Sequence, residues 1–140
     1  MPGVNNERIH VLDDSVTIRA MMVRVLETDL RLKAIAVGSA DEAEKALATG
    51  KFDVATLDVQ MPGRGGLEFL EQLVGRYRLP TVMLSASTAA GSTTRVQCFE
   101  AGAAACFDKA DILTSSKALV RLVKGAAAGR RFKDPTDTES

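Results

Sequence analysis

Five positions in this chain combine reactive side chains with a repeated context. Asp13 and Asp14, Asp58, Ser85 and Lys109 each stand at or just past the end of a short, β-like apolar run. Three carboxylates gathered at one place repel one another and raise each other's pKa unless a cation sits among them. A hard divalent ion relieves that repulsion. Mg²⁺ takes oxygen ligands, needs only one or two protein carboxylates, and keeps positions for water and a phosphate oxygen. A carboxylate in such a site can attack a phosphoryl donor and become an aspartyl phosphate. Because the transferred group passes through a loose, charge-spread transition state, cations and hydrogen-bond donors do most of the catalytic work. Lys109 is the second cation, and the Ser85 hydroxyl can donate to a phosphoryl oxygen. Taken singly, each residue has a structural reading: an N-cap for Asp-Asp-Ser, a turn starter for Asp58, a surface lysine for Lys109. Their joint order, each after a separate apolar run, selects the chemical reading.

The elements that must position these groups alternate. Residues 8–12, 32–37, 52–57, 81–84 and 104–107 read as strands, and helix-like segments follow them. Ser15 is the natural N-cap of a first helix with Ile18, Met21, Met22 and Val25 on one face. Ser39 with Glu42 forms a capping box, with Ala43, Ala46 and Leu47 inward and Gly50 as C-cap. Leu67, Leu70 and Val74 mark a third helix, Val96 and Phe99 a fourth, and Leu119, Leu122 and Val123 a fifth. The run 61–66 carries too many turn residues to be regular. Strands alternating with helices imply parallel pairing through crossovers, an α/β doubly wound five-stranded parallel sheet. In such sheets ligands bind outside the carboxyl ends of the strands. Those ends are where the five positions lie.

Composition narrows the function classes. The chain has 140 residues, 18 basic and 18 acidic, 46% apolar and 26% charged. This is the make-up of one globular domain, expected over 1–128, with a solvated tail or cut linker at 129–140. Zero net charge removes the bulk electrostatic signature of a protein held on nucleic acid or anionic lipid. Cys98 and Cys106 lack metal-ligand spacing and read as reduced packing residues, and the lone His10 supplies no second imidazole for zinc. The longest apolar run is five residues, 103–107, against about 20 for a membrane helix. No secretory h-region opens the chain. The expectation is a cytoplasmic protein with no membrane insertion and no direct nucleic-acid partner.

The segments VLDDS (11–15), TLDVQMPGRGGLEFL (56–70), VMLSAS (82–87) and FDK (107–109) resemble the receiver domain of two-component response regulators. More narrowly, LDVQMPGRGGLEFLEQL and PTVMLSAST are similar to the receiver half of chemotaxis protein-glutamate methylesterases. The resemblance covers about residues 7–128 and implies a flavodoxin-like (βα)5 fold. It implies Asp58 as phosphoacceptor, Asp14 and Asp58 as direct Mg²⁺ ligands (Mn²⁺ as a substitute), Asp13 acting through a metal-bound water, and the Gln60 backbone carbonyl as a further ligand. It pairs Lys109 with the phosphoryl group, puts Ser85 at a hydroxyl switch, and makes small Ala86 the space for that group. It implies a histidine kinase as donor, and a downstream protein or missing effector domain as the output. The switch itself is a two-state element biased by a new dianion.

Three departures stand out. Cys106 occupies the place of the usual switch aromatic, so that readout is expected to be missing. Ala110 replaces a proline after the lysine, predicting a trans bond with a displaced loop or a strained one. Gly65-Gly66 replaces Asp-Gly and is expected to loosen the loop. The alternatives are a pseudo-receiver that docks without phosphorylation, a haloacid-dehalogenase-like phosphatase, and a flavin or nucleotide binder. The phosphatase pattern needs a second Asp where this chain has Asp58-Val59-Gln60, and no G-x-G-x-x-G follows any strand. The dozen residues after the last helix are too few for an output module, so no catalytic output of its own is expected.

Overall fold

The computed structural model describes residues 7–60, 65–86 and 93–129. Five strands, β1 (Glu7–Leu12), β2 (Leu32–Val37), β3 (Val54–Asp58), β4 (Thr81–Ser85) and β5 (Ala105–Asp108), alternate with helices α1 (Val16–Leu26), α2 (Ala40–Thr49), α3 (Gly66–Gly75), α4 (Thr93–Glu100) and α5 (Ser116–Ala127). All pairings are parallel, in the order β2-β1-β3-β4-β5. This is the expected doubly wound sheet. The order reverses between β1 and β3, so their carboxyl ends open a crevice there. The tail expected at 129–140 lies, from 130 onward, outside the described residues, as do Met61 to Arg64 of the turn-rich loop.

Each strand sends alternate side chains to opposite faces, which divides the core in two. Ile9, Val11, Val54, Val82 and Leu84 pack with Met22 and Leu26 of α1 and Leu119 and Val123 of α5. Leu12, Ala55, Leu57 and Met83 pack with Ala43, Phe69, Leu70, Leu73 and Cys98 on the other face. Strands β3 and β4 are buried along their whole length, as parallel strands covered by helices on both sides must be.

Local signals operate as read. Ser15 Oγ accepts from Ile18 N–H at 3.2 Å and Ser39 Oγ from Glu42 N–H at 3.2 Å. The Glu42 carboxylate returns to the Gly38 N–H at 3.0 Å, one residue before the cap. Other details shift. β3 begins at Val54 because the Asp53 carboxylate accepts the Arg8 N–H at 2.8 Å and Phe52 turns its ring to His10 and Arg8. The buried face of α3 is Phe69, Leu70 and Leu73, with Leu67 and Val74 at its margin. The expected face of α4 is also corrected: Val96 is 47% exposed, whereas Arg95 and Cys98 are buried. Arg95 lies inward because its stem is apolar and its guanidinium stacks 5.2 Å over the half-buried Phe99 ring.

His10 on β1 is fully buried, and among the described residues neither ring nitrogen has a hydrogen-bond partner. Its ring meets Phe52 edge-on, 5.0 Å between centroids. Burial lowers its pKa from 6.5 to about 4, so the fold holds it neutral. The neutral form's advantage is complete above about pH 6.5 and is lost as pH falls toward 4, at up to about 1.4 kcal/mol per pH unit. Urea melts from pH 7 to pH 4.5 should therefore show a steeper loss of stability for the natural chain than for His10→Leu. Parallel pH curves for the two proteins would refute this.

Candidate phosphoryl-transfer site

Asp13 follows β1, Asp58 ends β3 and Lys109 follows β5, so the sheet order brings all three to one crevice. Asp13 continues the row Ile9, Val11, and Asp58 the row Val54, Thr56; by strand alternation both project toward the α1/α5 face. Lys109 Nζ lies 2.9 Å from Asp58 Oδ1 and 3.3 Å from Asp13 Oδ2. Asp13 and Asp58 are buried and Asp14 is exposed, yet one carboxylate oxygen from each lies within 4.8 Å of the others.

Backbone donors hold the two buried carboxylates. Ser15 N–H donates to Asp13 Oδ1 at 2.9 Å and Gln60 N–H to Asp58 Oδ1 at 3.0 Å. Each is an Asx turn closing over two residues. Asp13 Oδ2 is buried, and among the described residues its partner is the Lys109 ammonium of the 3.3 Å ion pair. Burial pushes the Asp58 carboxyl up, a shift that the Lys109 and Gln60 hydrogen bonds only partly offset. Burial works against the Lys109 ammonium, but its bond to Asp58 and the field of Asp13 outweigh it and hold its pKa above the usual lysine value. The site is therefore an ion triad with more negative than positive charge. Three carboxylates, each offering an oxygen within 4.8 Å of the others and sharing one ammonium among them, are the donor set a hard cation requires, so Asp13, Asp14 and Asp58 fit Mg²⁺.

A family model described as the response regulator receiver domain matches residues 9–120. The chain belongs to that family. Among relatives of this receiver, a protein-glutamate methylesterase/protein-glutamine glutaminase of Burkholderia thailandensis is 34% identical over 132 residues, covering 88% of this chain and 37% of the relative. One from Rhizobium johnstonii is 40% identical over 111 residues, covering 79% of this chain and 29% of the relative. The chain thus spans about a third of these relatives' length. The response regulator domain of Thermotoga maritima CheB shares the fold, with a TM-score of 0.79 and 24% identity over 87% of this chain and 96% of that one.

The other positions singled out from sequence are placed as follows. Ser85 is buried and in register with Asp108, while the preceding Leu84 is in register with Asp58. Ala86 is exposed beyond it. Cys106 is buried in the same apolar cluster as Cys98 on the α2–α4 face, and that neighbour and burial push its thiol pKa up. Ala110 follows Lys109 through a trans bond. It enters a 3₁₀ turn, Lys109–Asp111, with its N–H donating to Asp108 Oδ1 at 2.9 Å. A proline would lack that donor.

The loosening expected of Gly65-Gly66 concerns Gly65, which has open space where a Cβ would lie; Gly66, placed in the turn-rich loop by its sequence, instead opens α3. That residue is buried at the start of α3, and a Cβ there would lie 2.6 Å from the Asp58 carbonyl oxygen and collide with that of Val59. Gly66 is needed because α3 abuts the backbone that carries Asp58. Its run of turn residues masked this packing role. Gly66→Ala should cost about 1–3 kcal/mol in urea unfolding, the usual range for overpacking, and slow phosphorylation by displacing Asp58. Unchanged stability would show that the contact yields freely.

Proposed function

We propose that this receiver accepts a phosphoryl group on Asp58 from a histidine kinase in a Mg²⁺-dependent reaction, and thereby alters its binding to an output protein or domain. The observation that carries this reading is the Asp58–Lys109–Asp13 triad, with the Asp14 carboxylate gathered beside it. Asp58 Oδ1 already accepts from Lys109 and Gln60, so Oδ2 is assigned as the nucleophile. Its lone pair forms the oxygen–phosphorus bond as the phosphorus–nitrogen bond to the donor histidine breaks. The electron pair leaves with the imidazole, which takes up a proton. Lys109 stays beside the oxygens where negative charge accumulates. Burial of Asp58 limits water at the reacting carboxylate. A bound Mg²⁺ would neutralise the surplus negative charge so that a dianionic group can approach.

Ser85 is assigned as the hydroxyl that senses the new group, Ala86 as the small residue beside it, and the Gln60 carbonyl as a further cation ligand. The similarity to methylesterases supports a chemotaxis-type system and a cytoplasmic setting. Among the described residues no helix is long and apolar enough to cross a membrane. The chain spans the receiver portion of those relatives, so hydrolytic output, where this receiver has one, is assigned to another domain or protein.

Incubation with acetyl phosphate and Mg²⁺ should raise the intact mass by one phosphoryl group, and Asp58→Asn should abolish the increase. Retained modification in that variant would overturn the assignment, and an unmodified natural chain would leave a docking module instead. Lys109→Ala should still bind divalent cation, because it removes none of the carboxylates, yet lose the phosphorylation-driven change in amide hydrogen exchange around β4 and β5. An undiminished change would refute the role given to the lysine.

A further inference from the structure

Asp13 is restrained at three of its polar atoms. Its N–H donates to the Val37 carbonyl at 3.2 Å, its Oδ1 accepts from Ser15 N–H at 2.9 Å, and its backbone carbonyl accepts from Arg19 Nη1 at 2.8 Å. The last of these is the unusual one, since the donor comes from the second turn of α1. Side chains on a helix lean toward its N-terminus, and Arg19 uses that lean to reach back over the loop that carries Asp13 and Asp14. The space it occupies exists because residue 38 has no side chain. A Cβ on Gly38 would lie 2.6 Å from Arg19 Nη1 and 3.1 Å from Cζ. Gly38 therefore acts as the floor under the guanidinium, at the end of β2, the strand paired with β1.

The bonded carbonyl belongs to the planar peptide unit that joins Asp13 to Asp14. Fixing its direction fixes where the exposed Asp14 leaves the chain relative to the buried Asp13. We propose that Arg19, seated on Gly38, is a positioning residue that sets the divalent-cation affinity of the Asp13/Asp14/Asp58 pocket. This inference rests on the phosphotransfer reading for its biological meaning, but its claim concerns cation binding and is testable apart from it. Arg19 touches neither the reacting carboxylate nor any carboxylate oxygen among its described contacts.

Charge and positioning predict opposite signs. If Arg19 acted only through its positive field, removing it would strengthen cation binding. As a clamp, its removal should weaken binding, by the 10-fold or more (roughly 10- to 100-fold) typical of lost outer-shell support. Gly38→Ala separates the two further. It keeps the charge and every carboxylate, and the group that must yield is the far end of a flexible side chain, so folding should survive.

The test is Mn²⁺ titration by electron paramagnetic resonance on the full chain, with Mg²⁺ competition, for the natural chain, Arg19→Ala and Gly38→Ala, each checked by circular dichroism. Both variants should bind Mn²⁺ at least several-fold more weakly. With acetyl phosphate, both should need more Mg²⁺ for half-maximal phosphorylation yet reach the same rate at saturation. Unchanged or tighter Mn²⁺ binding in Gly38→Ala overturns the clamp, whatever Arg19→Ala does, and so does a natural chain that binds no Mn²⁺. A natural chain that binds Mn²⁺ but gains no phosphoryl group overturns the phosphotransfer reading alone, and the binding comparison still decides the clamp.

Discussion

The ammonium of Lys109 between two buried carboxylates is the interaction on which the rest depends. Asp13 and Asp58 sit at the ends of adjacent strands with almost no access to solvent. Two carboxylates so placed would repel one another and shed charge by protonation without a cation between them. Lys109, 2.9 Å from one and 3.3 Å from the other, supplies it. The ammonium leaves a surplus of negative charge once Asp14 is counted. That surplus suits the pocket to a divalent cation, whose charge would offset it before the dianionic group of the proposed reaction could approach. A fully neutralised site would have little reason to bind the cation.

The fold serves this cluster by rigidity. β3 is central and buried on both faces, so Asp58 projects from a backbone with little freedom. Gly66 lets α3 press against that backbone, and the Gln60 N–H fixes the orientation of the carboxylate itself. On the other side of the crevice, Ser15, Arg19 and Val37 hold Asp13 through three separate polar atoms. Supports drawn from α1, β2 and the turn after β3 surround a site whose own residues come from β1, β3 and β5. The half of the molecule opposite α1 and α5 is organised differently. There Cys106 and Cys98 pack in one apolar cluster and His10 is held neutral, which makes that layer a place of packing with few charges.

Much of this was legible before any coordinates. The alternation of short apolar runs with helical faces identified the parallel doubly wound sheet, and among the polar residues at the run ends are Asp13, Asp14, Asp58 and Lys109, which the strand order gathers. The Ser15 and Ser39 caps were equally plain, because a cap is a contact between residues three apart. What failed were inferences about which side of a helix faces inward when its sequence is mixed. In α4, Val96 looked like the buried residue, but the long stem of Arg95 fills that role over Phe99. The turn-rich run 61–66 likewise hides the packing role of Gly66: its environment is the carbonyls of Asp58 and Val59, brought near only when α3 docks.

By itself, then, the sequence determined the element types, the layer architecture and the residue types offered at the strand ends, since hydrophobic period, capping and residue type act over a few neighbours along the chain. Only the tertiary structure decided that Lys109 bridges Asp58 and Asp13, and that Arg19 rests on Gly38 to hold the Asp13 carbonyl. Those facts are distances between residues far apart in the chain. They follow from strand order and helix docking, which local periodicity constrains but does not specify to the ångström.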